Sequence, residues 1–163
     1  MPADNPTAET ASAAIQGVTT ESIFVNSMTS GAVEAVYRSP NKGRVSLNLL
    51  NSKKDVLIHV DARFNYLGER NVLVLNSKAA NGGWGREARP KGFPFRRGFP
   101  FVSTITLRVE ITTGAFVISA NGIPVTKYPY RGALRPPVHQ IQYYSQDNGA
   151  YMKAKLKSLT VEY

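Results

Sequence analysis

Between Ile23 and Tyr163 the sequence breaks into short β-prone runs that never settle into a helical period. The runs are Ile23 to Val25, Ala32 to Tyr37, Val45 to Leu50, Val56 to Phe64, Asn71 to Asn76, Thr104 to Ile111, Ala115 to Ala120, Ile123 to Tyr128, Gln140 to Tyr144 and Tyr151 to Tyr163. Clusters of Gly, Pro, Asn and Ser at Ser27 to Gly31, Ser39 to Gly43 and Asn51 to Lys54 separate the early runs. Asn121-Gly122 tolerates positive φ at both positions and predicts a tight hairpin. Many short strands at this spacing predict an all-β fold, an antiparallel two-sheet β-sandwich.

A chain of 163 residues fits one such domain and is long enough to bury a core without staples. The absence of cysteine excludes a disulfide framework and a thiolate metal site. Residues 1–22 hold Asp4, Glu9 and Glu21 but no lysine or arginine, and are rich in Ala, Thr and Ser. They are expected to form a flexible acidic leader, with the folded domain over 23–163. All 20 basic residues and eight of the 11 acidic ones follow the leader, giving the domain a formal charge of +12 against +9 for the whole chain. No apolar run reaches transmembrane length, and the N-terminus lacks a basic-then-apolar signal pattern, so classical secretion is not expected.

The chemistry concentrates between Val56 and Arg89. In an extended strand successive side chains face opposite ways, so His59, Asp61 and Arg63 line one face while Ile58, Val60, Ala62 and Phe64 line the other. After a short Gly-containing turn the pattern repeats, with Leu73 and Leu75 inward and Val72, Val74 and Asn76 outward. Trp84 and Glu87 differ in parity, and the flanking Gly82, Gly83 and Gly85 mark where a bulge can bring both to one face, beside Arg89.

A flat aromatic ring amid donors and acceptors suits a neutral polyhydroxylated ligand, a sugar. The aliphatic C–H face of a pyranose can lie on Trp84, and its hydroxyls find directional partners around the ring. Arg63 and Arg89 offer planar forks, and Glu87 can accept from both arginines and from a hydroxyl.

The order H-x-x-x-R, an asparagine after an apolar strand, then W-G-x-E-x-R, resembles the galectins, the β-galactoside-binding lectins. His59, Arg63, Asn76, Trp84, Gly85, Glu87 and Arg89 carry the likeness, with the words Ala62 to Asn65 and Asn76 to Lys78. The resemblance extends from about Ile23 to the C-terminus. It implies a jelly roll with the sugar site on its concave sheet. By the same resemblance His59 and Arg63 bond the axial 4-hydroxyl of galactose, Asn76 and Glu87 bond the 6-hydroxyl, and Trp84 stacks beneath the ring. Arg63 and Glu87 continue onto the next sugar, and Arg89 braces Glu87 and reaches the second sugar.

Asp61 stands where the family usually has asparagine. An ionised carboxylate only accepts, so either the 4-hydroxyl donates a hydrogen bond to it or it turns to Arg63 and stops contacting sugar. Leu67 stands where many members carry a second histidine, and the loop from Asn76 to Trp84 is longer than in common members.

Two other function classes fit parts of the sequence. Asp61 and Glu87 imitate the paired carboxylates of a glycosidase, but their arginine neighbours lower carboxyl pKa values and disfavour a proton donor, so no enzyme is expected. Arg86, Arg89, Lys91, Arg96 and Arg97 could hold nucleic acid or heparin-like chains weakly and in a salt-sensitive way. His139 reads as structural. No metal or other cofactor is expected, since the site has no cluster of free carboxylates. The expected partners are galactose-containing glycans, with grip multiplied by a homodimer or higher oligomer. Galectins reach the cell exterior without signal peptides, so the expected location is cytoplasmic, extracellular by a non-classical route, or both.

Overall fold

The structure is a computed structural model, and it describes residues 20–38, 43–92, 104–147, 150–152 and 156–163. Most of the acidic leader, Arg96 and Arg97 lie outside them. Eleven strands and no helix occur among the described residues: β1 Thr20–Met28, β2 Gly31–Arg38, β3 Gly43–Leu50, β4 Val56–Asn65, β5 Val72–Lys78, β6 Thr104–Ile111, β7 Ala115–Ala120, β8 Ile123–Pro129, β9 Val138–Asp147, β10 Ala150–Met152 and β11 Leu156–Glu162. They form two antiparallel sheets. One has six strands in the order β1-β9-β3-β4-β5, with β10 also on β9; the other has five in the order β11-β2-β6-β7-β8. The all-β sandwich expected from the sequence is the observed fold.

The final run, Tyr151 to Tyr163, is a correction. It is two strands in different sheets: β10 pairs with β9, and β11 pairs with β2. Periodicity alone read it as continuous, but the chain here passes from one sheet to the other.

Alternation explains the layering. Leu47, Leu49, Ile58, Val60, Leu73, Leu75 and Tyr143 of the six-stranded sheet meet Val33, Tyr37, Leu107, Val109, Phe116 and Ile118 of the other. Burying such side chains contributes about 1.5–3 kcal/mol each. Leu57 and Ile58 both enter the core because the β4–β5 register shifts between Val56 and His59. Two buried hydroxyls tie the layers together beneath the site. Tyr37 OH donates to the Ser46 carbonyl at 2.7 Å, and Ser77 Oγ lies 2.7 Å from Tyr128 OH.

The turns follow local chemistry. Asn121 and Gly122 both have positive φ (49° and 76°), as a type I′ hairpin needs. Between β4 and β5 the same geometry recurs at Leu67 and Gly68 (50° and 79°), closed by paired backbone bonds between Tyr66 and Glu69. Leucine is an unusual occupant of that conformation.

Candidate functional site

The outward faces of β3, β4 and β5 set three cross-strand rows. Asn48 pairs with His59 and His59 with Asn76; Ser46 pairs with Asp61 and Asp61 with Val74; Arg44 pairs with Arg63 and Arg63 with Val72. The parity expected for His59, Asp61 and Arg63 therefore holds, and β3 adds a row of its own. Arg44, Ser46 and Asn48 were not singled out from the sequence, although they alternate with the core residues Val45, Leu47 and Leu49. That alternation was the available signal.

A short extended segment covers the outer edge of β5. Trp84 bridges to Lys78 and Ala88 to Leu75, so four steps on this segment match three on the strand. The extra residue is the expected bulge, and it reconciles the parity of Trp84 and Glu87. Gly85 sits at the tightest point. A Cβ there would stand 3.0 Å from Arg131 Nη1 and 3.3 Å from Asn76 Oδ1. Its amide donates to the Ser77 carbonyl at 2.9 Å, which fixes the approach of Trp84.

Trp84 remains 49 % exposed, with its ring centroid 4.9 Å from that of His59 at a tilt of 49°. Beside it, His59 is buried and its Nδ1 donates to Asn48 Oδ1 at 2.6 Å. Burial pushes the imidazole pKa down to about 4, with Arg44 and Arg63 adding to the fall and Asp61 opposing it. The ring is neutral at physiological pH. With the proton held on Nδ1, Nε2 is an acceptor.

Asp61 is wholly buried. Its Oδ1 accepts from Ser46 Oγ at 2.6 Å, and its Oδ2 from Arg63 Nε at 2.8 Å and Arg44 Nη1 at 3.1 Å. Of the two roles open to it, the carboxylate has turned to the arginines. Arg44 in turn lies over the Tyr66 and Tyr144 rings, at 4.6 and 5.2 Å. Val74 lies on the same outward face but is 1 % exposed.

Arg63 Nη1 donates to Glu69 Oε1 at 2.5 Å, and its Nη2 lies 3.7 Å from Glu87 Oε2. Arg89 forks onto Glu69 at 3.0 and 2.9 Å and reaches Glu87 only at 3.4 Å. The brace expected between Arg89 and Glu87 is thus chiefly a brace between Arg89 and Glu69. The Arg89 hydrogen bond, with help from Arg63, holds the Glu69 carboxyl below its usual range. Glu69 was not foreseen, because only the Leu67-Gly68 turn swings it back over β4.

Asn76 is almost fully committed. Its Nδ2 donates to the Gly85 carbonyl at 2.9 Å, and its Oδ1 accepts from the Ser77 amide and from Arg131 Nη1 at 2.8 and 3.0 Å. One Nδ2 proton has no partner in this set. Arg131, 55 residues further along the chain, carried no local signal. Among the described residues no group of three metal-ligating side chains occurs, and no helix is long and apolar enough to cross a membrane.

Known proteins resemble this chain in sequence and in fold. The family model for galactoside-binding lectin matches residues 16–151. Congerin-2 of Conger myriaster is 40% identical over 91 residues, covering 56% of this chain and 64% of that protein, so the match spans less than two thirds of the relative. A tetrameric galectin from the ball sponge Cinachyrella sp. is 56% identical, with a TM-score of 0.80 over 88% of this chain and 99% of that one. Congerin II solved with lactose and MES bound is 25% identical, with a TM-score of 0.69 over 88% of this chain and 99% of that one. With a family match over most of its length and the sandwich and outward polar rows to go with it, the chain belongs to the galectins, the galactoside-binding lectins.

Proposed function

We propose that this protein is a non-catalytic lectin that holds β-galactosides on the outer face of the six-stranded sheet. The observation that carries the reading is the half-exposed Trp84 ring packed against a neutral His59, with a ring face and an acceptor side by side. A galactose stacked on Trp84 offers its axial 4-hydroxyl to His59 Nε2 and Arg63. The free Nδ2 proton of Asn76 and the Glu87 carboxylate serve the 6-hydroxyl. Arg63, Glu87 and Arg89 serve the following sugar. Asp61 acts through Arg63, as a positioning residue, and Val74 forms part of the floor. An epimer with an equatorial 4-hydroxyl would leave the His59 acceptor and the Arg63 donor without that partner, at a cost of about 1–3 kcal/mol per group. The lactose-bound congerin II supports the ligand class.

A disaccharide gains little from polar contacts that replace water. A ceiling of about 0.3 kcal/mol per heavy atom sets its Kd near 10 micromolar or weaker. Strong attachment to cells then needs several sites at once, and the tetrameric sponge galectin supports an oligomer for this chain also.

The test is a lactose titration followed by the fluorescence of Trp84, the single tryptophan, with maltose and Arg63→Ala as controls. A saturable change with lactose alone, lost in the variant, is expected; an equal response to maltose refutes galactoside recognition. A second reading, weak polyanion binding, rests on the +9 charge. Because counterion release drives such binding, heparin retention should vanish at moderate salt, and retention that survives high salt contradicts it.

A further inference from the structure

A second cavity, of about 430 Å³, opens where the edges of the two sheets meet. Among the described residues its wall includes Ala88 and Arg89 of the segment that covers β5, and Lys127, Tyr128, Tyr130 and Arg131 at the end of β8. Arg89 borders both this cavity and the sugar face; none of the outward-row residues of β3, β4 and β5 lines it, and its volume is in the range that holds small organic ligands.

Its chemistry differs from that of the sugar face. Three cationic side chains border it, and they are not equally committed. Arg89 is spent on Glu69 and Glu87. Lys127 is exposed, and among the described residues it has no carboxylate partner. The Arg131 guanidinium lies 4.7 Å over the Tyr128 ring and donates once to Asn76, through Nη1. Its remaining N–H groups have no acceptor among the described residues, and the residue lines the cavity. The two tyrosine hydroxyls are already engaged, Tyr128 with Ser77 and Tyr130 with the Thr112 carbonyl, so neither offers a spare donor; Tyr128 is buried beneath Arg131, and the apolar wall is the part-buried Tyr130 ring with Pro90 and Pro129. Among the described residues no carboxylate lines the wall.

An apolar wall with two cations that have no carboxylate partner among the described residues complements an anion with a flat apolar body. We propose that this cavity is a second ligand site, for a small aromatic carboxylate or sulfonate whose ring lies against Tyr130, Pro90 and Pro129 and whose charge meets Lys127 and Arg131. Because Arg131 also holds Asn76 Oδ1, a ligand that draws the guanidinium toward the cavity disturbs the Asn76 amide. The site thus communicates with the sugar face through one side chain, whatever that face binds.

The experiment uses the full chain labelled with 15N and titrated with sodium naphthalene-2-sulfonate, with uncharged 2-naphthol as the comparison. Saturable shifts are expected at the amides of Lys127, Tyr128, Tyr130 and Arg131 and at the Asn76 side-chain NH2, with weaker binding of the naphthol. Lys127→Gln, an exposed change outside the sugar face, should weaken the sulfonate about fivefold and leave the naphthol unchanged. No saturable shift at residues 127–131 overturns the proposal, as does equal affinity for the neutral ring or an unchanged sulfonate affinity in the variant. Shifts at 127–131 with a still Asn76 amide refute the communication.

Discussion

Asp61 and Arg63 lie two residues apart on one face of β4 and are joined by a 2.8 Å bond from Arg63 Nε to Asp61 Oδ2. The same oxygen takes Arg44 Nη1 at 3.1 Å, so one buried carboxylate bridges two arginines that stand opposite each other across β3 and β4. Like charges in that register would repel without it. Asp61 is therefore the electrostatic keystone of the site floor.

Replacing Asp61 tests this. Asp61→Ala removes the buried carboxylate that Arg44 Nη1 and Arg63 Nε share and should cost about 3 kcal/mol of stability. Asp61→Asn keeps an acceptor for the arginines and a donor for Ser46, and should cost roughly half as much. Urea midpoints for the three proteins should fall in that order, and a midpoint equal to the parent for Asp61→Ala would sink the assignment.

Glu69 should matter to ligand affinity although it needs no contact with sugar. It fixes both Arg63 and Arg89. Glu69→Gln should weaken lactose binding about fivefold, since charge-assisted bonds are replaced by neutral ones. Calorimetry that finds no change would show that the arginines are held well enough by Asp61 and Glu87 alone.

His59 gives a pH signature. Its folded pKa is about 4 against about 6.5 when unfolded, chiefly through burial. Between those values the unfolded chain binds the extra proton, so stability rises with pH through the window. The contribution is complete above about pH 6.5 and is lost as the pH falls toward 4, on the order of 3 kcal/mol. His59→Gln should flatten this part of the stability profile. Lactose affinity in the parent should stay level from pH 8 to about 5 and then fall as Nε2 gains a proton; a midpoint for that fall near 6.5 would contradict a neutral buried ring.

Gly85→Ala should injure the site more than the fold. The added Cβ would press on the Arg131 Nη1 and Asn76 Oδ1 atoms, and the flexible guanidinium is the one that yields. The expected result is a stability loss of about 1 kcal/mol or less with a several-fold loss of lactose affinity. Comparing melting temperature with Kd separates the two effects.

Leu67→Asn should stabilise the protein. Leu67 is 68 % exposed and has φ of 50°, so the change sacrifices little burial and relieves a left-handed conformation. A gain of about 0.5–1 kcal/mol, read as a melting temperature higher by roughly 1–4 °C, is expected. No gain would mean that Leu67 packs on something the described residues do not include.

The sequence alone determined the alternation that sends His59, Asp61 and Arg63 one way and Val60 and Ala62 the other, because a strand's period is local and fixed by backbone geometry. It determined the Asn121-Gly122 hairpin and the bulge beside Trp84 for the same reason, since glycine's freedom is a property of the residue. Tertiary structure decided what those rows meet. Which β3 residue faces His59 depends on strand register, and that register places Asn48 on its Nδ1 and Ser46 on Asp61. Glu69 reaches Arg89 through a turn conformation that leucine does not advertise. Arg131 reaches Asn76 because two sheet edges close on each other from positions 55 residues apart. Those contacts are set by packing between distant strands, and no short stretch of sequence encodes such a distance.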